Sequence, residues 1–560
     1  MRLHYLLTVF NPVFVTATCL TSSASPIINT TLGQLQGTTS PYRSDITVFK
    51  GIPYATPPTG SLRWKAPLPV TPWTGIKNAS TFGAECAQMV SPTASIFGSA
   101  NATVSEDCLY MNIWKPQNAT GLSKLPVYVW IYGGRFTGGG GDVLTYDGSG
   151  LASKDIIVVT FNYRMAFGGD SGRVTVGGQS AGSASALDMM YSPLSKNLIH
   201  GVIAESGARG PHDPETAGLA TSYRQLSAAY DDGIALLTKL NVTSISELRN
   251  VSMAVLLTVD NDSDPLYANT RFANISSFMN PPAWRPVIDN YVLISSYAEA
   301  LLSNSHADVP ILTGNNADES GASPEPDLTL ATYTSQFTTM FGNLSSTFFD
   351  LYPASNDTSA NTLSNTLFRD LSRTSTWNWA KDWTAGGAAS NVFTYYFTHA
   401  PPNQTAGVYH GAELNYVMNN LPNTNVVADW SAEDYAVEAV MSAYWANFIK
   451  TGDPNGEGLV EWPAMSNATR TMWLGDSWGA GEIAGSAEKV ALLEEWFAGF
   501  EECYILILHQ PNLRFGLDEK ELRVYPSQQM YHLRGYQFQL KIYKNEINSL
   551  HSELTYQTSE

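Results

Sequence analysis

Along the chain, apolar residues gather in short continuous runs rather than alternating ones. Residues 125–132 (LPVYVWIY) and 156–163 (IIVVTFNY) are the densest, and residues 173–177, 201–205, 309–313 and 392–397 repeat the form. A run that is apolar at successive positions suits a strand buried on both faces. Residues 46–52 and 112–114 read as shorter strand pieces among turn residues. Helical stretches, 181–191 and 436–450 among them, lie between several of the runs. Strands alternating with helices predict an α/β fold with a mostly parallel central sheet and flanking helices. The chain shows no internal repeat.

One junction breaks this regularity. Only eight residues, MAFGGDSG, separate Arg164 from Arg173. Parallel neighbours need a crossover of about a dozen residues or more, usually carrying a helix. Either the strands on the two sides are not parallel neighbours, or the chain lacks a piece that its fold expects. The two ends of the chain also differ from its body. Arg2, an apolar run over 6–20 and the small residues Ser22-Ser23-Ala24 form the pattern of a signal peptide over 1–24. Asn11 and Pro12 interrupt that run, which argues against a stable membrane anchor, and no later segment reaches the roughly 18 uncharged apolar residues of a span. Residues 503–560 hold six Lys+Arg and six Asp+Glu, so the negative charge of the chain lies before them. This tail reads either as an added helical appendage or as a non-native extension.

Charge and composition narrow the function. The chain has 560 residues, with 31 Lys+Arg against 50 Asp+Glu and a formal net charge of −19. Such a surface repels phosphate backbones, which excludes nucleic acid as the expected partner. A hydrophobic fraction of 44% excludes general disorder. Only 14% of residues are charged, so solubility needs another source. Twelve Asn-x-Ser/Thr acceptors supply one: Asn29, Asn78, Asn101, Asn118, Asn241, Asn250, Asn261, Asn274, Asn343, Asn356, Asn403 and Asn467. Together with the leader they predict a secreted, extracellular glycoprotein. Of four cysteines, Cys19 leaves with the signal and Cys503 lies near the C-terminus. Cys86 and Cys108 remain as the natural disulfide pair of an oxidising compartment. With no CxxC and no HExxH, no metal site is expected.

The candidate chemistry centres on Gly178-Gln179-Ser180-Ala181-Gly182, a G-x-S-x-G sequence between an apolar strand and a helix. That is the setting of a nucleophile elbow, in which the serine hydroxyl projects from a sharp turn at a helix N-terminus. A serine needs a base beside it, and in this arrangement the chain order is serine, acid, histidine. Among the histidines that follow Ser180 at sufficient distance, His399 continues a strand and His410 sits in a loop, AGVYHGAEL; the loop position favours His410. The acid belongs in the loop after the strand VPILTG, where Asp318 and Glu319 stand side by side and physics alone does not choose. Donors for an oxyanion come from the backbone of the Gly-rich loop after residues 125–132, which holds Gly133-Gly134-Arg135-Phe136 and ends in Gly138 to Gly141, and from the N–H of Ala181.

These residues are recognisable. The chain resembles the type-B carboxylesterases, the family of cholinesterases and Candida-type lipases, from about Ile27 to Phe500. The resemblance rests on FKGIPYATPP, LRWKAPLP, SEDCLYMNIW, VWIYGG, GGDSGRVTVGGQSAGSAS, AESG, RPVIDNYVL, ADES, GVYHGAE and WANFIKTGDPN. It implies an α/β-hydrolase domain over 27–500 and ester hydrolysis through an acyl-enzyme, with Ser180 as nucleophile, Glu319 as acid and His410 as base. It implies that Cys86 and Cys108 close an Ω-loop and that Arg63 and Glu106 form a structural ion pair at its base. Three departures stand out. Arg135 replaces a glycine of the usual Gly-Gly-Gly-Phe, and is strained if the position needs a positive φ. No tryptophan lies between Cys86 and Cys108, so a cation–π site for a quaternary ammonium has no support there. The family's loop and helix between its N-Y-R strand and its F-G-G-D turn is cut here to Met165 and Ala166.

The expected function is thus a secreted serine hydrolase that cleaves small or medium carboxylic esters and needs no cofactor. Two alternatives stand beside it. One is a non-enzymatic, cholinesterase-like binding protein, since fold does not fix function. The other is a mis-spliced or catalytically impaired family member, because the cut junction removes a covering helix. Oligomeric state is not legible.

Overall fold

The computed structural model describes residues 25–163, 174–218, 222–259, 263–324, 327–465 and 469–500. The signal-peptide and tail expectations for 1–24 and 503–560 lie outside these residues, as does the junction 164–173. Eleven strands form the main sheet: β1 (Thr38–Thr39), β2 (Ile46–Pro53), β3 (Tyr110–Pro116), β4 (Val127–Ile131), β5 (Ile157–Phe161), β6 (Val174–Gln179), β7 (Gly201–Glu205), β8 (Ile311–Asn316), β9 (Val392–Phe397), β10 (Arg470–Leu474) and β11 (Gly479–Glu482). Their order across the sheet is β1-β2-β3-β5-β4-β6-β7-β8-β9-β10-β11. From β5 to β10 every neighbouring pair is parallel, and the flanks are antiparallel. This is the α/β-hydrolase architecture that the apolar runs and the family resemblance predict.

The sheet separates two apolar layers, because alternate side chains of each strand point to opposite faces. On one side Tyr128, Trp130, Val158, Ile203, Leu312 and Tyr395 pack with helix α3 (Ala432–Thr451). On the other Val176, Val202, Ala204, Ile311 and Val392 pack with α1 (Ala181–Tyr191) and α2 (Asp357–Ala385). Helix α3 starts in a capping box between Ser431 and Asp434 and ends at Gly452 in the left-handed conformation. These caps satisfy backbone groups that the helix itself leaves open.

Strands β5 and β6 are not neighbours, since β4 lies between them and is parallel to both. They are nevertheless parallel members of one sheet. On one face these strands are less buried than their apolar runs predict. Val127, Val129, Ile157, Val159, Phe161 and Val174 are each partly exposed, while Tyr128, Val158 and Thr160 on the opposite face are fully buried.

Candidate active site

Ser180 ends β6 and opens α1, and its backbone stands at φ 58°, ψ −123°. A non-glycine residue is rarely found there, and its presence marks the sharp elbow that the G-x-S-x-G sequence predicts. Ser180 N–H donates to the Glu205 carbonyl oxygen at 2.9 Å, which ties the elbow to β7. The Gly-rich loop after β4 lies against the elbow. A Cβ on Gly133 would stand 2.8 Å from the Gln179 carbonyl oxygen and 3.2 Å from Ser180 Cβ, so only glycine permits this approach. Next in this loop, Arg135 and Phe136 have φ of 55° and 62°, which realises the strain expected of a non-glycine residue at position 135. The N–H groups of Gly134, Arg135 and Ala181 have no acceptor among the described residues.

His410 lies in the loop after β9 and Glu319 in the loop after β8. Nδ1 of His410 donates to Glu319 Oε2 at 2.6 Å, and the other carboxylate oxygen accepts the Asn316 N–H at 2.8 Å. The Glu319 side chain is 2% exposed and that of His410 is 41% exposed. The buried carboxylate of Glu319 thus holds an imidazole that is itself partly open to solvent. Burial pulls the imidazole pKa down, but the hydrogen bond and charge of Glu319 outweigh it, and the net direction is up. Glu413 pushes the same way and the Arg135 charge opposes it. The neighbouring acid behaves differently. Asp318 turns away, pairs with Arg369 and accepts the Val408 N–H at 2.8 Å. Geometry thus brings Glu319, and not Asp318, to His410.

Ser180 Oγ has no hydrogen-bond partner among the described residues. Gln179 Nε2 instead lies 3.5 and 3.3 Å from the two ring nitrogens of His410. Being nearly equidistant, it is not aligned with one lone pair. Contacts between nucleophile and base are often loose before substrate enters. His399 is far more constrained, with Nδ1 2.7 Å from Asp476 and Nε2 3.1 Å from Asp434. Nε2 ties the end of β9 to the start of α3, and Nδ1 ties it to the turn after β10.

The Cys86–Cys108 disulfide is formed, with Cα atoms 4.9 Å apart. Its loop reaches the histidine through Phe97, whose ring centroid is 6.0 Å from that of His410. Arg63 binds Glu106 through two contacts of 2.5 and 2.6 Å, as the resemblance implies, and also donates to the Arg249 and Val251 carbonyl oxygens. Among the described residues no group of three or more His, Cys, Asp or Glu could hold a metal. No helix among them is long and apolar enough to cross a membrane.

Two acids near the site carry no sequence assignment. Glu205 ends β7, fully buried, with Oε1 accepting from Trp445 Nε1 at 2.8 Å and Oε2 without a partner among the described residues. Burial raises its pKa to about 8. Glu413 accepts from Asn316 Nδ2 and is pushed well above the carboxylate range, chiefly by burial. An acid closing an apolar strand was the available signal for Glu205, and Glu413 stands three residues beyond His410 in the quoted GVYHGAE.

A parallel sheet with a strained serine at a strand–helix elbow and a buried acid bound to a loop histidine defines an α/β-hydrolase. The chain belongs to the carboxylesterase family, whose sequence profile matches residues 24–167 and 165–477. The two matched segments meet at the cut junction. The chain is 30% identical over 498 residues to fumonisin B1 esterase of Sphingopyxis macrogoltabida, covering 80% of this chain and 86% of that protein. It is 30% identical over 500 residues to para-nitrobenzyl esterase of Bacillus subtilis, covering 80% and 95%. It is 28% identical over 559 residues to liver carboxylesterase 1 of Oryctolagus cuniculus, covering 85% and 94%.

Proposed function

We propose that this chain is a secreted glycoprotein that hydrolyses carboxylic esters through an acyl-enzyme on Ser180. His410 takes the Ser180 proton at Nε2 as Oγ attacks the ester carbonyl. Glu319 holds the ring in the tautomer with the proton on Nδ1 and stabilises the imidazolium that forms. The N–H groups of Gly134, Arg135 and Ala181 receive the oxyanion, each donor contributing about 3–4 kcal/mol in comparable sites. The alcohol leaves with the proton from His410, and water activated by the same nitrogen releases the acid. The observation that carries the reading is the His410–Glu319 hydrogen bond together with a serine held at positive φ in the elbow. Secretion is supported by exposure: all ten sequon asparagines among the described residues are exposed.

The test is labelling of the 560-residue chain by a fluorophosphonate. Label on the wild type but not on Ser180→Ala is expected. Equal labelling of the two proteins would end the assignment of Ser180. A second reading, an impaired family member, is favoured by the junction and the partly exposed strand face beside it. Soluble wild-type protein that refuses the label would support it.

A further inference from the structure

Arg135 is the residue at which the oxyanion loop departs from glycine, and its side chain has no part in the steps above. An L-residue at its positive φ costs about 1–2 kcal/mol that glycine does not. Strain of this kind persists where a side chain has a use. The side chain is half-buried, with Nη2 donating to the Asn280 carbonyl oxygen at 2.8 Å and Nη1 4.0 Å from Met279 Sδ. Both partners are neutral. No carboxylate pairs with this guanidinium among the described residues. By contrast Arg63, Arg209, Arg224, Arg285, Arg369 and Arg373 each hold an Asp or Glu. In a chain of net charge −19, an arginine without a protein counter-ion beside the reacting groups is conspicuous.

The surroundings do not cancel its charge. The Arg135 charge opposes protonation of His410. Burial raises the pKa of both Glu205 and Glu413, which favours their neutral forms. Glu319 is engaged by His410. A guanidinium with open N–H groups in a half-buried site matches a carboxylate through its planar fork.

We propose that Arg135 selects esters that carry a free carboxylate, such as half-esters of dicarboxylic acids. This rests on the serine-esterase reading. One residue would then serve both ends of the substrate, its N–H at the oxyanion and its guanidinium at a carboxylate a short aliphatic chain away.

The experiment measures kcat/KM for monoethyl adipate against ethyl hexanoate by acid release, in wild type, Arg135→Gly, Arg135→Gln and Arg135→Lys. Glycine suits the positive φ, so that variant keeps the loop. The charged-to-neutral ratio is expected to fall about ten- to a hundredfold in the glycine and glutamine variants, the usual worth of a hydrogen bond to a charged group, and less in lysine. A parallel pair, 3-acetoxypropanoate against propyl acetate, places the carboxylate on the alcohol. A fall confined to the adipate pair assigns recognition to the acyl part, and a fall confined to the second pair assigns it to the alcohol part. Turnover of neutral esters with a ratio unmoved in every variant overturns the selection and leaves the esterase reading standing. No turnover of any ester by wild type overturns both.

Discussion

His410 is pulled in opposite directions by its surroundings, and the balance has a kinetic consequence. Burial favours the neutral ring, while the Glu319 hydrogen bond and charge favour the imidazolium and prevail. In the proposed mechanism only the neutral ring can accept the Ser180 proton. A raised pKa keeps the inactive form to higher pH, so kcat/KM is expected to rise along an acid limb centred above the ordinary value of 6.5. Glu319→Gln should move that limb to lower pH and cut kcat by about 10³–10⁴-fold, because an amide neither anchors the tautomer nor supplies charge. Arg135→Gly should move it the other way, since its charge opposes protonation. Limbs that coincide in all three proteins would show that another group titrates. At this scale the elbow at Ser180 was legible from its motif and the loop placement of His410 from its surroundings. The acid was not legible from physics, because Asp318 and Glu319 differ only in which way the loop turns. That turn depends on Arg369, 51 residues further along.

At the scale of elements, the strands that read best are those buried on both faces, since continuous apolar runs leave little ambiguity. Helix α1 matches its sequence reading residue for residue. Helix α2, 29 residues long, escaped because Ser, Thr and Asn dominate it and have weak helix propensity. Its stability comes from buried Leu367, Phe368, Leu371, Trp379 and Trp383, a tertiary contribution that no local pattern shows. The short link between β5 and β6 left two alternatives open, and the strand order, with β4 between them, matches the one in which they are not neighbours. Each of the six partly exposed side chains beside the link forgoes about 1 kcal/mol relative to full burial. Together they approach a sizeable share of the roughly 5–15 kcal/mol that holds a domain folded. Inserting the helical crossover of a relative between Arg164 and Phe167 should therefore raise soluble yield and the midpoint of urea unfolding. An unchanged midpoint would mean that this face is already covered.

At the scale of the molecule, the unusual feature is the number of acids that folding forces to keep their protons. Burial raises Glu85 and Glu205 to about 8, and Asp188 and Glu438 to about 7. Each binds a proton more tightly folded than unfolded, so each contributes stability that is complete below its unfolded pKa and lost as pH rises through its folded one. His410, also raised, has the same sign. Asp308 and Asp434 are lowered from 3.8, and their contribution is already nearly complete at pH 5. It therefore cannot offset the loss above that point. The net charge of −19 adds self-repulsion that also grows with pH. Thermal unfolding at fixed ionic strength should therefore give its highest midpoint near pH 5 and fall through pH 8.5. Salt should restore only part of the fall, because it screens surface repulsion and does not reach buried carboxyls. Full recovery in salt would assign the whole effect to the surface. A midpoint rising with pH would mean that the buried acids are ionised and paired in the folded protein.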